Sequence, residues 1–331
     1  MIIGIDDSGS FEKEELGMFA AVYIRPKKRD KLERIFLDWE SSLPDSCKDK
    51  GEVKGRLLSP EQVRDFADRI LRKNNIYPIK FHVFATPTRG FNVKMIIGQR
   101  DKNIRQYEAA IADYRKDGEE YENIANEYTK LVQWLRKRSI KTLLKIELLG
   151  NTIFKAINDS ITWSAVKDFD RELGKLDIKI DKAFIDKPEH MTYWLDIMRN
   201  MVWNLSYHGG GIIHLNTWNS HHPFIKRFNA DPKSRSRLSR ATPEFKKSWN
   251  FYDSKDHFEI RLEDIVANAY FRRFVLNEEA LEDAIIELQK SNVNKPNTFT
   301  IVALQGESPT GTPNPYTDTV FGEQLNERKG E

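Results

Sequence analysis

The apolar positions of this chain follow two periods. MIIGI at the start is a short continuous apolar run, and GMFAAVYI, after an acidic turn, is a second. The pair predicts a buried strand and its hairpin partner. Leu32, Ile35, Phe36 and Trp39 then recur at helical spacing. Ser59-Pro60-Glu61-Gln62 predicts a capped helix start, with Ser at the cap, Pro at the first helical position and Gln three after the Ser. Val63, Phe66, Ala67, Ile70 and Leu71 form the apolar face of that helix, and IYPIKFHVFA returns to strand-like composition.

From about 100 to 173 the chain is polar, Gly-poor and helical in pattern. Tyr121, Ile124, Tyr128, Leu131 and Leu135 alternate three and four apart. This predicts a long helical hairpin inserted between two strands of the core, packed as an arm. A surface for a second copy or another protein, or a substrate clamp, is the alternative. Lys130, Arg136, Lys137, Arg138, Lys141 and Lys145 crowd that stretch without an acid among them. IKIDKAFID then reads as a strand reaching Asp186, followed by a helix through Trp194, Ile197, Met198, Met201 and Leu205. HGGGIIHLNTW is a glycine turn into another strand. Helices follow at IRLEDIVANAYFRRFV and LEDAIIELQ, and a last strand at TFTIVALQ. Strands alternating with helices predict an α/β fold built on a mixed sheet. The expected organisation is one domain over 1–304, interrupted at about 100–173, and a flexible, disordered tail over 305–331, rich in Pro, Gly, Ser, Thr and Asn.

Composition narrows the classes. A single cysteine, Cys47, excludes a disulfide framework and a Cys-rich zinc site. The first residues lack the basic stretch of a secretory leader, and the apolar runs fall far short of the roughly 18 residues a membrane span needs. A cytoplasmic protein with no membrane association is the expectation. The net charge is only +3, but it is unevenly spread. Between Lys226 and Lys247 stand Lys226, Arg227, Lys233, Arg235, Arg237, Arg240, Lys246 and Lys247 against Asp231 and Glu244. Such a segment suits phosphate backbones through counterion release, or is a solvated loop.

Several chemistries are absent. There is no G-x-x-x-x-G-K-[ST] loop and no H-E-x-x-H. Gly209 and Gly211 open a dinucleotide-like fingerprint, but His214 stands where its third Gly belongs and the turn precedes a strand. Ser8 stands where a D-x-D nucleophile would need its second Asp. His208, His214, His221 and His222 cluster without a recognised metal spacing, so a loop-lining role is preferred over ligation.

What remains is a set of acids. Asp6 ends the first strand and Asp186 the strand before Pro188; ligands gather at such strand ends, while turn formation or capping is the plainer alternative. Asp264 shares a helical stripe with Ala267, Phe271 and Val275, and the opposite stripe is also apolar. A carboxylate in such a row is costly unless paired, hydrogen-bonded or bound to a cation. Glu52 lies in GEVKGRLLS, where flanking glycines and Lys54 are compatible with a close approach to a phosphate, a surface loop being the plainer alternative.

Together these stretches resemble a known family. IDDSGS is similar to the strand-ending Asp-Glu-Ser-Gly of the family named domain of unknown function 3800. GEVKGRLLS resembles its Glu-x-Lys-Gly motif, AFID its later strand ending in Asp, and DSKDHFEIRLEDIVANAYFRR its Asp-Ser-Lys followed by an Ala-Asp pair opening a helix. Asp7 departs from the usual Glu, and Glu263 from the usual Ala. The resemblance implies a ribonuclease H-like fold and a metal-dependent nuclease acting on DNA or RNA, with Asp6, Glu52, Asp186 and Asp264 as metal ligands. Four converging acids repel, and two Mg²⁺ or Mn²⁺ ions about 4 Å apart would resolve that repulsion and serve in-line phosphoryl displacement. Lys54 is then expected to steady the phosphate, Asp7, Ser8 and Ser254 to orient ligands, and Lys226, Arg227, Lys233, Arg235, Arg237 and Arg240 to contact nucleic acid. A non-catalytic binding module on the same fold, or hydrolysis of a small phosphoester, fits the same residues.

Overall fold

The computed structural model describes residues 1–9, 16–72, 79–88, 92–163, 176–185, 187–207, 249–290 and 299–301. Strand β1 (Ile2–Ser8) pairs antiparallel with β2 (Leu16–Ile24), which places Gly4 opposite Val22 and Asp6 opposite Ala20. Helix α1 (Arg29–Ser42) follows, then a two-strand ribbon of β3 (Lys48–Asp49) and β4 (Glu52–Val53). Helix α2 (Pro60–Phe66) starts on the expected capping box. The Gln62 amide donates to Ser59 Oγ, and the Ser59 amide to Gln62 Oε1 at 2.8 Å. Strand β5 (Lys80–Pro87) extends the antiparallel run on β2.

Three helices come next, α3 (Val93–Asp117), α4 (Glu122–Arg136) and α5 (Ile140–Trp163). Strand β6 (Asp177–Asp181) pairs parallel with β1; α6 (Met191–Tyr207) and β7 (Trp249–Tyr252) follow, β7 parallel to β6. Helices α7 (Phe258–Phe274) and α8 (Glu282–Lys290) precede β8 (Phe299–Ile301), parallel to β5. The mixed sheet therefore has the order β7-β6-β1-β2-β5-β8 among the described residues.

Strand alternation sends successive side chains to opposite faces. Ile3, Ile5, Phe19, Ile178 and Ile180 join a core with α3, α4, α5 and α6. Ile2, Met18, Ala20 and Val22 join the other core, with α1, α2, α7 and α8. In that second layer the rings of Phe36, Trp39, Phe66 and Phe258 stand 5.3–6.0 Å apart in tilted pairs. Each such pair adds about 0.5–1.5 kcal/mol beyond area burial.

Helix α7 crosses β1 at Gly4. A Cβ there would lie 2.3 Å from the Glu259 carbonyl oxygen, so the absent side chain is what lets the helix backbone seat on the strand. This contact sets where the next turns of α7 fall relative to Asp6.

Two expectations change. The helical stretch begins at Val93, and α5 continues beyond the hairpin of α3 and α4 to lie against β2 and β5. Its apolar residues Leu143, Leu144, Leu148 and Leu149 form part of the core, because this face of the sheet needs a covering layer. The strand expected to reach Asp186 ends at Asp181. The Asp181 carboxylate accepts the Ala183 amide at 2.8 Å and turns the chain into a short 3-10 segment, Lys182–Phe184. Asp186 itself lies outside the described residues, as do the glycine turn with its histidines, the basic segment and the tail.

Candidate active site

Asp6 and Asp7 end β1 and point to opposite faces. Asp6 is buried on the α7 side, its Oδ1 accepting the Asp7 amide at 2.8 Å. Asp7 faces the other layer, where Lys145 Nζ of α5 sits 2.6 Å from its Oδ2. Ser8, also buried, shares the Asp6 face.

Asp181, at the end of the neighbouring strand, belongs to the Asp6 face, since Ile178 and Ile180 fill the opposite core. Asp264 approaches from α7. Its Oδ2 accepts the Gly55 amide at 2.7 Å and its Oδ1 accepts Asn268 Nδ2 at 2.9 Å. Gly55 lies directly on the helix: a Cβ there would be 2.6 Å from the Asp264 carbonyl oxygen. Arg272 fastens the same loop by donating to the carbonyls of Gly55 at 3.0 Å and Leu58 at 2.6 Å.

That loop carries Glu52 and Lys54. Strand β4 is anchored by Glu40, whose carboxylate accepts the Val53 amide at 3.2 Å and Arg261 Nη1 of α7 at 2.6 Å. Glu52 is buried, and its Oε2 accepts both Lys54 Nζ at 2.9 Å and Ser254 Oγ at 3.0 Å. Glu52 and Ser254 are thus joined across 202 positions of sequence.

The electrostatics tie these parts into one group. Burial, then the charges of Asp181, Asp264 and Asp7, hold the Asp6 carboxyl well above the usual carboxylate range. Asp264 is raised by burial and by Asp181, against the opposing Gly55 amide and Lys54. Asp181 is raised by burial, with Asp7 and Asp253 adding and the Ala183 amide and Lys54 opposing. Burial works against the Lys54 charge, but its hydrogen bond to Glu52 and the charges of Asp264, Glu52 and Asp6 prevail and raise its pKa. The site is acid-rich with one ammonium inside it. Among the described residues, no three His, Cys, Asp or Glu side chains are arranged to hold an ion as they stand.

The chain matches no family model, no curated protein and no solved structure. The resemblance to the domain of unknown function 3800 family therefore stands on its motifs.

Of the residues expected from sequence, the structure gathers Asp6, Glu52, Lys54, Ser254 and Asp264, with Ser8 at the strand end. Asp7 is turned to the opposite layer. Asp186 and Lys226, Arg227, Lys233, Arg235, Arg237 and Arg240 lie outside the described residues. Asp181 is the acid that sequence reading passed over. Its signal was the period-two pattern of IKID, which places it opposite the buried isoleucines. The basic run of the helical stretch is largely engaged within the chain. Lys130 pairs with Glu127, Arg136 with Glu108 and Lys145 with Asp7, while Arg138 lies 4.7 Å over the Trp134 ring. No helix among the described residues is long and apolar enough to cross a membrane.

Proposed function

We propose that this protein is a divalent-metal-dependent nuclease that hydrolyses phosphodiester bonds of DNA or RNA. The observation that carries the reading is that Asp6, Asp181 and Asp264, on two adjacent parallel strands and a crossing helix, lie within reach of one another's charge, each with its pKa raised by burial and neighbouring acids. Buried like charges call for a cation, and an all-oxygen donor set fits Mg²⁺ or Mn²⁺. The mixed sheet, an antiparallel β5-β2-β1 run continued by parallel β6 and β7, supports a ribonuclease H-like fold.

In this reading Asp6, Asp181 and Asp264 hold the metal, and Glu52 completes the donor set. Bound there, the metal supplies an activated water and charge to stabilise the phosphoryl transition state. Ser254 holds the Glu52 carboxylate in place. Lys54 places its ammonium between Glu52 and the aspartates, where it offsets negative charge developing on the scissile phosphate. The basic segment from Lys226 to Lys247 supplies sequence-independent contacts to the nucleic-acid backbone.

The test is cleavage of labelled single- and double-stranded DNA and RNA with Mg²⁺, Mn²⁺ or chelator, by wild type, Asp6→Asn and Asp264→Asn. Metal-dependent cutting lost in both variants is expected. Cutting at wild-type rates in both would remove the reading. Salt-sensitive binding by a folded wild type that never cuts would replace it with a non-catalytic binding module.

A further inference from the structure

Helix α7 carries two wholly buried glutamates on the side that faces the sheet, one turn apart. Glu259 is 0% exposed, and its Oε1 accepts Arg29 Nε at 2.7 Å and Lys179 Nζ at 3.1 Å. Burial works against its charge, but the backbone and these two cations prevail and lower its pKa. A buried carboxylate on this helix is thus provided with positive charge from α1 and β6.

Glu263 is also 0% exposed, yet among the described residues neither of its carboxylate oxygens has a hydrogen-bond partner and no basic side chain pairs with it. The charges facing it are those of Asp6 and Asp264. The backbone amides of Asp6 and Val22 offset part of that field without forming a well-aligned hydrogen bond. Lys54, the ammonium of the site, is hydrogen-bonded to Glu52. A carboxyl buried without partners is costly, and an ionised one far more so. Among the described residues the counter-charge that Glu259 takes from the chain is missing at Glu263, and the neighbouring groups are carboxylates, donors that suit hard divalent cations.

We propose that Glu263 is a further carboxylate of the acid site, and that the divalent cation held by Asp6 and Asp264 is its missing partner. This rests on the metal-dependent reading above and deepens it. The site would then present to the cation a donor from beneath α7, in addition to those from the strand ends and the β4 loop. An extra anionic oxygen would raise the affinity of the site for such an ion.

The test is Mn²⁺ and Mg²⁺ binding by calorimetry, with metal-induced thermal stabilisation as a second readout, on the full chain. Wild type, Asp6→Asn, Glu263→Gln and Glu263→Met are compared. Glu263→Gln keeps the shape and removes the charge, and is expected to weaken Mn²⁺ binding by about tenfold or more, with a smaller rise in Tm. Glu263→Met, an apolar side chain of similar length, keeps the test open should Gln fail to fold. It is expected to be more stable than wild type without metal and equally weakened in binding. Wild-type Mn²⁺ affinity in either folded variant, with Asp6→Asn having lost it, overturns the proposal and leaves the nuclease reading standing. A wild type that binds neither ion overturns both.

Discussion

Gly4→Ala is the smallest change that separates the strand from the helix that completes the site. The added Cβ would stand 2.3 Å from the Glu259 carbonyl oxygen, 2.7 Å from the Glu259 carbonyl carbon and 3.2 Å from the Ile260 nitrogen. Ordinary contact begins near 3.4 Å, so α7 must withdraw by about 1 Å. Overpacking costs about 1–3 kcal/mol, and the opposing atoms here are helix backbone with no rotamer to yield, so about 3 kcal/mol is expected. At about 2 °C per kcal/mol for a chain of this size, the melting temperature falls by about 6 °C. The same movement carries Asp264 away from the Gly55 amide and from Asp6. A misplacement of about 1 Å is enough for about a hundredfold loss of the proposed cleavage. Circular dichroism melts and a cleavage time course measure the two effects. Gly98→Ala in α3 is the control, with nothing within 4 Å of its Cβ. As a Gly inside a helix it should gain about 0.5–1 kcal/mol and leave cleavage unchanged. A Gly4→Ala protein that melts within a degree of wild type and cuts at the same rate would refute the close seating of α7 on β1.

Three further outcomes are expected. The Glu147 carboxyl on α5 is pushed up to about 8 by burial, from its ordinary value of 4.5, with Lys102 opposing. Folding therefore takes up a proton between those values, and stability present below pH 4.5 is lost as pH rises through about 8. In urea denaturation Glu147→Gln should match wild type at pH 4 and exceed it progressively towards pH 8.5; equal curves at both would contradict this. Ser254→Ala removes the hydroxyl that donates to Glu52 at 3.0 Å. It should cost about 1 kcal/mol of stability and about tenfold in cleavage, with an unchanged rate arguing against a positioning role. Arg272→Ala leaves the Gly55 and Leu58 carbonyls and Glu278 without their donor. A loss of about 3 kcal/mol is expected in chemical denaturation, and a loss under 1 kcal/mol would show that the loop holds without it.

The parts of the fold governed by local pattern were legible. β1 and β2 follow from two apolar runs around a turn, and α2 from its cap. The motif prefers Asp6 over Asp7 where alternation alone gives no preference, and the structure turns the two to opposite layers. The helical stretch was harder to read, because a stripe such as Tyr121 to Leu135 shows amphipathicity without naming what lies against it. That α5 covers the sheet depends on which strands are adjacent, which is a long-range property. Asp181 was hidden by the continuity of IKIDKAFID, whose turn is made by the Asp181 carboxylate itself. On α7 both faces are apolar, so periodicity left open which line meets the sheet. That line carries Glu259 and Glu263, while Asp264 sits beside it under the Gly55 loop.

The pieces of the site are spread along the chain: Asp6 and Glu52 lie early, Asp181 in the middle, and Ser254 and Asp264 late. The Glu52–Ser254 and Gly55–Asp264 hydrogen bonds each span more than 200 positions. A chain still emerging from the ribosome has made its β4 loop more than 200 residues before Ser254 and Asp264 follow. The acid site is therefore incomplete until α7 has been made and has docked on Gly4, so that a product ending before α7 lacks the groups the proposed chemistry needs.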